Sequence, residues 1–359
     1  MNRIRTIQAE LASNQVDAMF VTNQQNVMYL TGFSGLAPNE REGYLLVTKY
    51  HAFLLTFPTY FPLYRQGGEG FVSLNITADK RISSHISDIV QHEALKAIGV
   101  EEDNLTISEL TSLTKTIAVS FIPVTGFIER HRMQKDDSEI ASIRDSARIT
   151  DSAFSWIIGR IAEGISEYEL AIDLMDYFNR YADGYAFNPI VAFNENAAIP
   201  HHLPSRTVKV VKQSLIMIDI GAKFAGYCSD MTRIVFFGEP KPEFVAMYET
   251  VLHAQEKALS MIKPGVDGAA IDAEIKSRIQ SEKFVPYHHG LGHGVGLSIH
   301  EAPRMKENRP EILRERSTIT VEPGIYTEGL GGVRIEDLVL LKDDGIEILS
   351  KTPKKILVI

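Results

Sequence analysis

Two aspartates set symmetrically in an apolar, glycine-punctuated stretch constrain this chain more than any other feature. Ile216 to Val235 reads Ile-Met-Ile-Asp-Ile-Gly-Ala-Lys-Phe-Ala-Gly-Tyr-Cys-Ser-Asp-Met-Thr-Arg-Ile-Val. Two β-rich runs flank a short segment holding Gly221 and Gly226, the pattern of a hairpin. Asp219 and Asp230 are symmetric about Phe224-Ala225. A tight turn there sets the two carboxylates opposite each other on neighbouring strands, with Cβ atoms ~5 Å apart. Asp219 also lies in the apolar run Leu215 to Ile220, which marks it for burial. A buried anion facing another anion requires a cation or a proton. Taken alone, the pattern fits two unrelated aspartates on a surface hairpin equally well.

The chain repeats the device. Val321-Glu322-Pro323-Gly324-Ile325-Tyr326 leads, through Gly329, Gly331 and Gly332, into Val333-Arg334-Ile335-Glu336-Asp337. Glu322 and Glu336 are symmetric about Gly329. A helix-start pattern recurs at a similar offset: Gly164-Ile165-Ser166 with Leu170 and Leu174 resembles Gly265-Val266-Asp267 with Ile271 and Ile275. The reading is a duplicated half-domain, each half giving helices and one acid-bearing hairpin. Four facing carboxylates in an apolar setting imply two divalent cations.

The rest of the sequence sets the frame. At 359 residues the chain is long enough for two domains with sizeable cores. A net charge of −9 without a dense basic tract argues against nucleic acid as a partner. The N-terminal segment has no apolar signal-peptide core, and no run approaches the ~20 apolar residues of a membrane span. The single cysteine, Cys228, excludes an internal disulfide and suits a reducing, cytoplasmic compartment. It sits two residues before Asp230 and reads as a packing residue rather than a ligand.

Residues 1–128 read as an α/β unit: strands at Ala18 to Thr22, Tyr44 to Val47, Ala52 to Thr56 and Ala97 to Val100, with a helix at Ile82 to Leu95. No metal cluster or nucleophile motif falls in it. A basic cluster at Arg130, His131, Arg132 and Lys135 marks the boundary, and residues 129–359 form the second unit. Its first helix is opened by a capping box, Asp136 with Glu139, and the next by Ser166 with Glu169. Ala186 to Phe193 reads as a strand, and Phe244 to Ile262 and Ile271 to Ile279 as helices. Then comes His288-His289-Gly290-Leu291-Gly292-His293-Gly294-Val295-Gly296-Leu297-Ser298-Ile299-His300-Glu301. Glycine on both sides of His293 lets backbone approach closely. No G-x-G-x-x-G frame fits, since Val295 takes the third glycine position, and no H-E-x-x-H or G-x-S-x-G occurs.

Together, Asp219 with Asp230, the Gly-His293-Gly-Val-Gly segment followed by His300-Glu301, Glu322-Pro-Gly-Ile-Tyr and Arg334-Ile-Glu336-Asp resemble the pita-bread metallopeptidases. Within them the chain is similar to the Xaa-Pro branch, aminopeptidase P and Xaa-Pro dipeptidase (prolidase), and Tyr29-Leu-Thr-Gly-Phe resembles that branch's creatinase-type N-terminal domain. The resemblance implies an α/β creatinase-type domain followed by an α+β pita-bread catalytic domain with an internal pseudo-two-fold repeat. It implies that Asp219 holds one metal, that Asp230 and Glu336 bridge both, and that His293 and Glu322 complete the second. Mn²⁺ or Co²⁺ is the expected metal, with Zn²⁺ the alternative. Glu322 would also take a proton from the attacking water. His201 and His300 would meet the substrate, and Tyr326 and Arg334 would support the site. The expected partners are proline-containing dipeptides or short peptides and a second copy of the chain, with neither nucleic acid nor membrane.

One departure stands out: Phe193-Asn194 occupies the place of the family's usual small Ser-Gly, in a loop expected to shape the substrate pocket. Arg304 stands where some prolidases carry a cation for the dipeptide carboxylate, which tilts the reading toward the dipeptidase. The alternatives are a methionine-type aminopeptidase of the same fold and a non-catalytic pita-bread peptide-binding module.

Overall fold

The computed structural model describes residues 2–37 and 40–359. Contacts divide the chain after Arg132 into two units, each with its own core. In the first, six strands pair in the order Val72–Asn75, Ala52–Thr56, Gly43–Thr48, Ala18–Val21, Ala97–Glu101, Ser120–Val124. The two pairs that Gly43–Thr48 makes with its neighbours are antiparallel and the other three parallel, so the sheet is mixed. Val27, Tyr29 and Leu30 belong to a helix, Gln24–Thr31, whose signals are local. The Asn23 side chain accepts from the amides of Gln25 and Asn26, and Gly32 closes the helix at φ 73°.

The second unit shows its duplication in backbone detail. Gly164 and Gly265 both adopt φ +87°, a conformation that a side chain would strain. Gly164 N–H donates to Val210 C=O and Gly265 N–H to Leu313 C=O, each at 2.9 Å. The return bonds, Val210 N–H to Ile165 C=O and Leu313 N–H to Val266 C=O, are also 2.9 Å. Ser166 and Asp267 then cap the helices Glu167–Tyr181 and Gly268–Ser281. Leu170, Leu174 and Phe178 on the first helix, and Ile271, Ile275 and Ile279 on the second, are fully buried at helical spacing. Burying each such side chain contributes roughly 1.5–3 kcal/mol.

Each half adds a sheet. One holds four strands in the order Leu357–Val358, Met231–Phe237, Ser214–Ile220, Ile190–Phe193. The other holds five: Glu301–Met305, Gly292–Gly294, Thr318–Val321, Asp337–Lys342, Gly345–Ile348. The strand expected over Ala186 to Phe193 covers only Ile190–Phe193. Pro189, which has no N–H for a ladder, stands at its entrance. No helix among the described residues is long and apolar enough to cross a membrane.

Candidate metal centre and active site

The two acid-bearing hairpins meet at the floor of a cleft. In the first, Ile220 pairs with Met231 and Asp219 with Thr232. The chain reverses at Ala225-Gly226, both at positive φ (49° and 81°), with Phe224 facing Tyr227. A two-residue turn with both central residues in this region matches the twist of the strands it joins. The turn therefore falls one residue later than symmetry about Phe224-Ala225 predicted. Asp219 does not face Asp230; the two are diagonal neighbours on one face of the hairpin. In the second hairpin Val321 pairs with Asp337 and Gly324 with Arg334, so Glu322 stands directly opposite Glu336, as expected. Both ladders are interrupted at the acids, the strands resuming in separate sheets beyond Gly221 and beyond Pro323. Gly221 is required at its break, since a Cβ there would collide with the Ser229 carbonyl.

Asp219, Asp230 and Glu336 are buried, and His293 and Glu322 nearly so. One ligand atom each of Asp230, His293 and Glu336 lies within 4.8 Å of the others. His293 Nε2 is 3.4 Å from Glu322 Oε1 and 3.7 Å from Asp230 Oδ2. Burial, then the charge of Glu336, holds the Asp230 and Glu322 carboxyls well above the usual range. Burial and Asp219 raise Glu336 to about 8. Burial lowers His293 to about 3 and His289 to about 4, so both imidazoles are neutral at pH 7.

The cleft, about 430 Å³, is lined by all five of these residues together with His201, His300, Arg304 and Arg334. Tyr326 lies just behind its wall. Arg334 spends each guanidinium nitrogen on a different partner: Nη2 on Asp219 Oδ2 (2.6 Å), Nη1 on the Tyr326 hydroxyl (2.8 Å) and Nε on Thr232 Oγ1 (3.0 Å). His289 is a site residue that the sequence flagged only as part of a histidine run. Its Nδ1–H faces the Gly290 carbonyl at 2.7 Å, which leaves Nε2 to accept from the Tyr326 hydroxyl at 3.0 Å. Thr232, whose hydroxyl also donates to Glu336 Oε2 at 2.6 Å, was not foreseen either. Nothing in sequence separates it from other strand threonines.

Phe193-Asn194 does not shape the cleft wall. Phe193 is buried in the core around Phe178 and Val235, and the lining residues before the His201 loop are Phe187 to Ile190. Asn194 adopts φ +48°, a conformation asparagine tolerates better than most residues, and its side chain accepts from Leu215 N–H at 2.9 Å.

Residues 141–343 match metallopeptidase family M24, and residues 3–134 match the creatinase/prolidase N-terminal domain. The chain belongs to metallopeptidase family M24. It is 32% identical over 359 residues to an Xaa-Pro dipeptidase of Pyrococcus horikoshii, covering 99% of this chain and 98% of that one. Among solved structures it is similar to the Xaa-Pro dipeptidase from Bacillus anthracis, with a TM-score of 0.94 and 31% identity over 99% of each chain. It is also similar to the X-Pro aminopeptidase from Thermotoga maritima, with a TM-score of 0.88 and 32% identity over 96% of this chain and 98% of that one. The fold is the expected creatinase-type domain followed by a pita-bread catalytic domain.

A metallopeptidase of this family uses divalent metal, and the donor set here fits it. His293 Nδ1–H points at the Gly294 carbonyl at 3.1 Å, so Nε2 presents a lone pair to the carboxylates rather than a proton. Asp219 Oδ1 and Asp230 Oδ1 are buried with no hydrogen-bond partner. Acceptors thus face acceptors, and Arg334 is the sole lysine or arginine among the described residues seen paired to one of the four carboxylates. Cations satisfy such a cluster as no further hydrogen bond within the protein does.

Proposed function

We propose that this metallopeptidase hydrolyses the peptide bond between an N-terminal residue and proline, and that it acts on dipeptides in preference to longer peptides. The observation that carries the reading is the buried set of acceptor atoms on the cleft floor, beneath two imidazoles, His201 and His300, whose rings have no hydrogen-bond partner among the described residues. Asp219, Asp230, His293, Glu322 and Glu336 would hold two divalent cations, Mn²⁺ or Co²⁺ by donor chemistry and Zn²⁺ as the alternative. The chemistry that two such cations supply is a water of lowered pKa and a polarised scissile carbonyl.

The chain's own residues do the rest. Glu322 accepts the proton of the attacking water at its carboxylate. Burial and the Arg304 charge keep His300 neutral, so it donates N–H to the developing oxyanion or the departing proline nitrogen, as does His201. Arg334 fixes Asp219 and, through Tyr326, the ring of His289. The Arg304 guanidinium lines the cleft with no carboxylate partner among the described residues, free to receive the carboxylate of a dipeptide. Ordinary peptides are disfavoured because their N–H is left unpaired where proline has none, a cost of ~1–3 kcal/mol. The reading takes the protein to be a homodimer. The lone cysteine, buried Cys228, supports a reducing compartment, hence the cytoplasm.

The test is hydrolysis of Ala-Pro beside Ala-Pro-Ala, before and after chelation, with Mn²⁺ or Co²⁺ restored. Ala-Pro is expected to be cleaved faster, in a metal-dependent manner. Arg304→Ala is expected to raise KM for Ala-Pro and leave Ala-Pro-Ala nearly unaffected. Full activity in verified metal-free protein would sink the mechanism, and equal losses on both substrates would sink the dipeptidase preference.

A further inference from the structure

The residue that follows each substrate-facing histidine is tied to a buried partner. After His201 comes His202, whose Nε2 lies 2.8 Å from Glu167 Oε2. Glu167 is fully buried at the start of helix Glu167–Tyr181. Its carboxylate accepts from four groups, one at the end of the strand Ile190–Phe193 and three in the segment that follows it: Phe193 N–H (2.7 Å), the Asn196 amide (2.9 Å), His202 (2.8 Å) and Ser205 N–H (2.8 Å). One carboxylate thereby closes both ends of the loop that carries His201 into the cleft.

After His300 comes Glu301, whose Oε1 lies 2.8 Å from Lys135 Nζ, and the lysine is 1% exposed. Glu301 Oε2 also accepts from Ser298 N–H at 3.4 Å, and its carboxylate packs where any side chain at Gly296 would collide with it. Lys135 and Glu301 thus fasten the glycine turn that precedes His300 as well as the strand that follows it.

Such buried pairs add little net stability, because desolvation offsets most of their attraction. What they fix is geometry. Among the described residues the His201 and His300 rings have no hydrogen-bond partner, and His300 has only an edge-on contact with the His293 ring at 4.4 Å, so their aim depends largely on the backbone that bears them. We propose that Glu167 and Lys135 are positioning residues that aim His201 and His300 through the neighbouring His202 and Glu301. The inference rests on the roles given to the two histidines above.

Double-mutant cycles on Ala-Pro hydrolysis by the metal-loaded enzyme test it. Glu167→Gln and Lys135→Met are each expected to lower kcat ~10-fold or more, with KM and metal stoichiometry unchanged, since a misplacement near 1 Å is enough to cost ~10²-fold. Lys135→Arg is expected to restore most of the loss. In a His201→Ala background, Glu167→Gln should cost nothing further, and Lys135→Met should cost nothing further in His300→Ala. A purely structural role predicts multiplicative losses in both backgrounds, and that result overturns the proposal. Should Glu167→Gln not fold, His202→Leu removes one of the four donors and is crossed with His201→Ala in the same way. Undiminished rates in His201→Ala and His300→Ala themselves would overturn the reading of the cleft and the anchors with it. Large losses there, with independent anchor effects, overturn the anchors alone.

Discussion

The hairpin of Asp219 and Asp230 and the hairpin of Glu322 and Glu336 follow one plan and differ in which rung carries the second acid. When Asp219 is set on Glu322, the registers place Thr232 on Glu336 and Asp230 on Arg334. The second acid of the first hairpin has thus moved one diagonal along the strand, and an arginine stands in its counterpart position. These non-equivalent residues bind one another across the two halves. Thr232 donates to Glu336, Arg334 Nε donates to Thr232, and Arg334 Nη2 donates to Asp219. A strictly symmetric duplicate would crowd four carboxylates together with no resident cation. The shift in register supplies one permanent positive charge and leaves the remaining negative charge for bound metal. Duplication explains the scaffold, and its violation explains the chemistry.

The largest way to break this comparison is Arg334→Met. It leaves Asp219 buried without its counter-charge, which is expected to cost about 3–5 kcal/mol in the metal-free protein. Urea denaturation measures it, and saturating Mn²⁺ should recover a large part. Arg334→Lys should rescue poorly, since one ammonium does not reach three partners served by three separate nitrogens. A loss below ~1 kcal/mol would mean that Asp219 does not depend on the arginine, a cost below even the usual value of one charged hydrogen bond.

The next effect is on pH. Carboxyls raised in the fold stabilise it fully below their unfolded pKa, 3.8 for Asp230 and 4.5 for Glu322 and Glu336, and lose that contribution as pH climbs to the folded value, about 8 for Glu336. Histidines depressed in the fold act oppositely: their contribution is present above 6.5 and is lost as pH falls toward about 3 for His293. Between 4.5 and 6.5 the two trends oppose each other, and from 6.5 to 8 the carboxyls act alone. Metal-free protein should therefore lose stability from pH 6.5 to 8, by about 1.4 kcal/mol per pH unit for each proton released. Metal-loaded protein should not, because its ligands are already deprotonated. Glu336→Gln should flatten the metal-free slope. A metal-free profile that rises over this window would contradict the account.

The contrast between the hairpins also marks how far the sequence can be read. Glu322 opposite Glu336 was legible because Gly329, at φ 74°, is a plain turn residue at the centre of symmetry. Asp219 opposite Asp230 was misread because the turn uses Ala225 at positive φ, a choice alanine does not announce. Capping boxes and apolar spacing made the helices from Asp137 and Glu167 legible. The ends of Ile190–Phe193 were not, since Phe187 and Pro189 are apolar for the sake of the cleft and not of a strand. Residues that work by contact with segments distant in the chain, such as Thr232, Glu167 and Lys135, carry no local pattern, and only the folded chain reveals them.

The smallest effect sharpens the comparison most. Thr232→Val keeps the shape of a fully buried side chain and removes only the hydroxyl that joins Glu336 to Arg334. Arg334 Nε and Glu336 Oε2 each lose a partner, while Arg334 keeps Asp219 and Tyr326. The expected cost is about 1–2 kcal/mol, well short of Arg334→Met, because the charges remain and only the neutral bridge goes. Thr320→Val offers the control within the second hairpin. Its hydroxyl donates to Glu322 at 3.2 Å and accepts from His293 N–H at 3.0 Å, so it holds proposed ligands of its own half and, among the described residues, bridges to nothing in the other. If the halves are locked through the shifted register, Thr232→Val weakens binding of both proposed metals in calorimetric titration, whereas Thr320→Val weakens chiefly the one that His293 and Glu322 would hold. Equal effects of the two changes on both metals would mean that each hairpin orders its acids independently, and the register shift would then be an accident of the turn at Ala225.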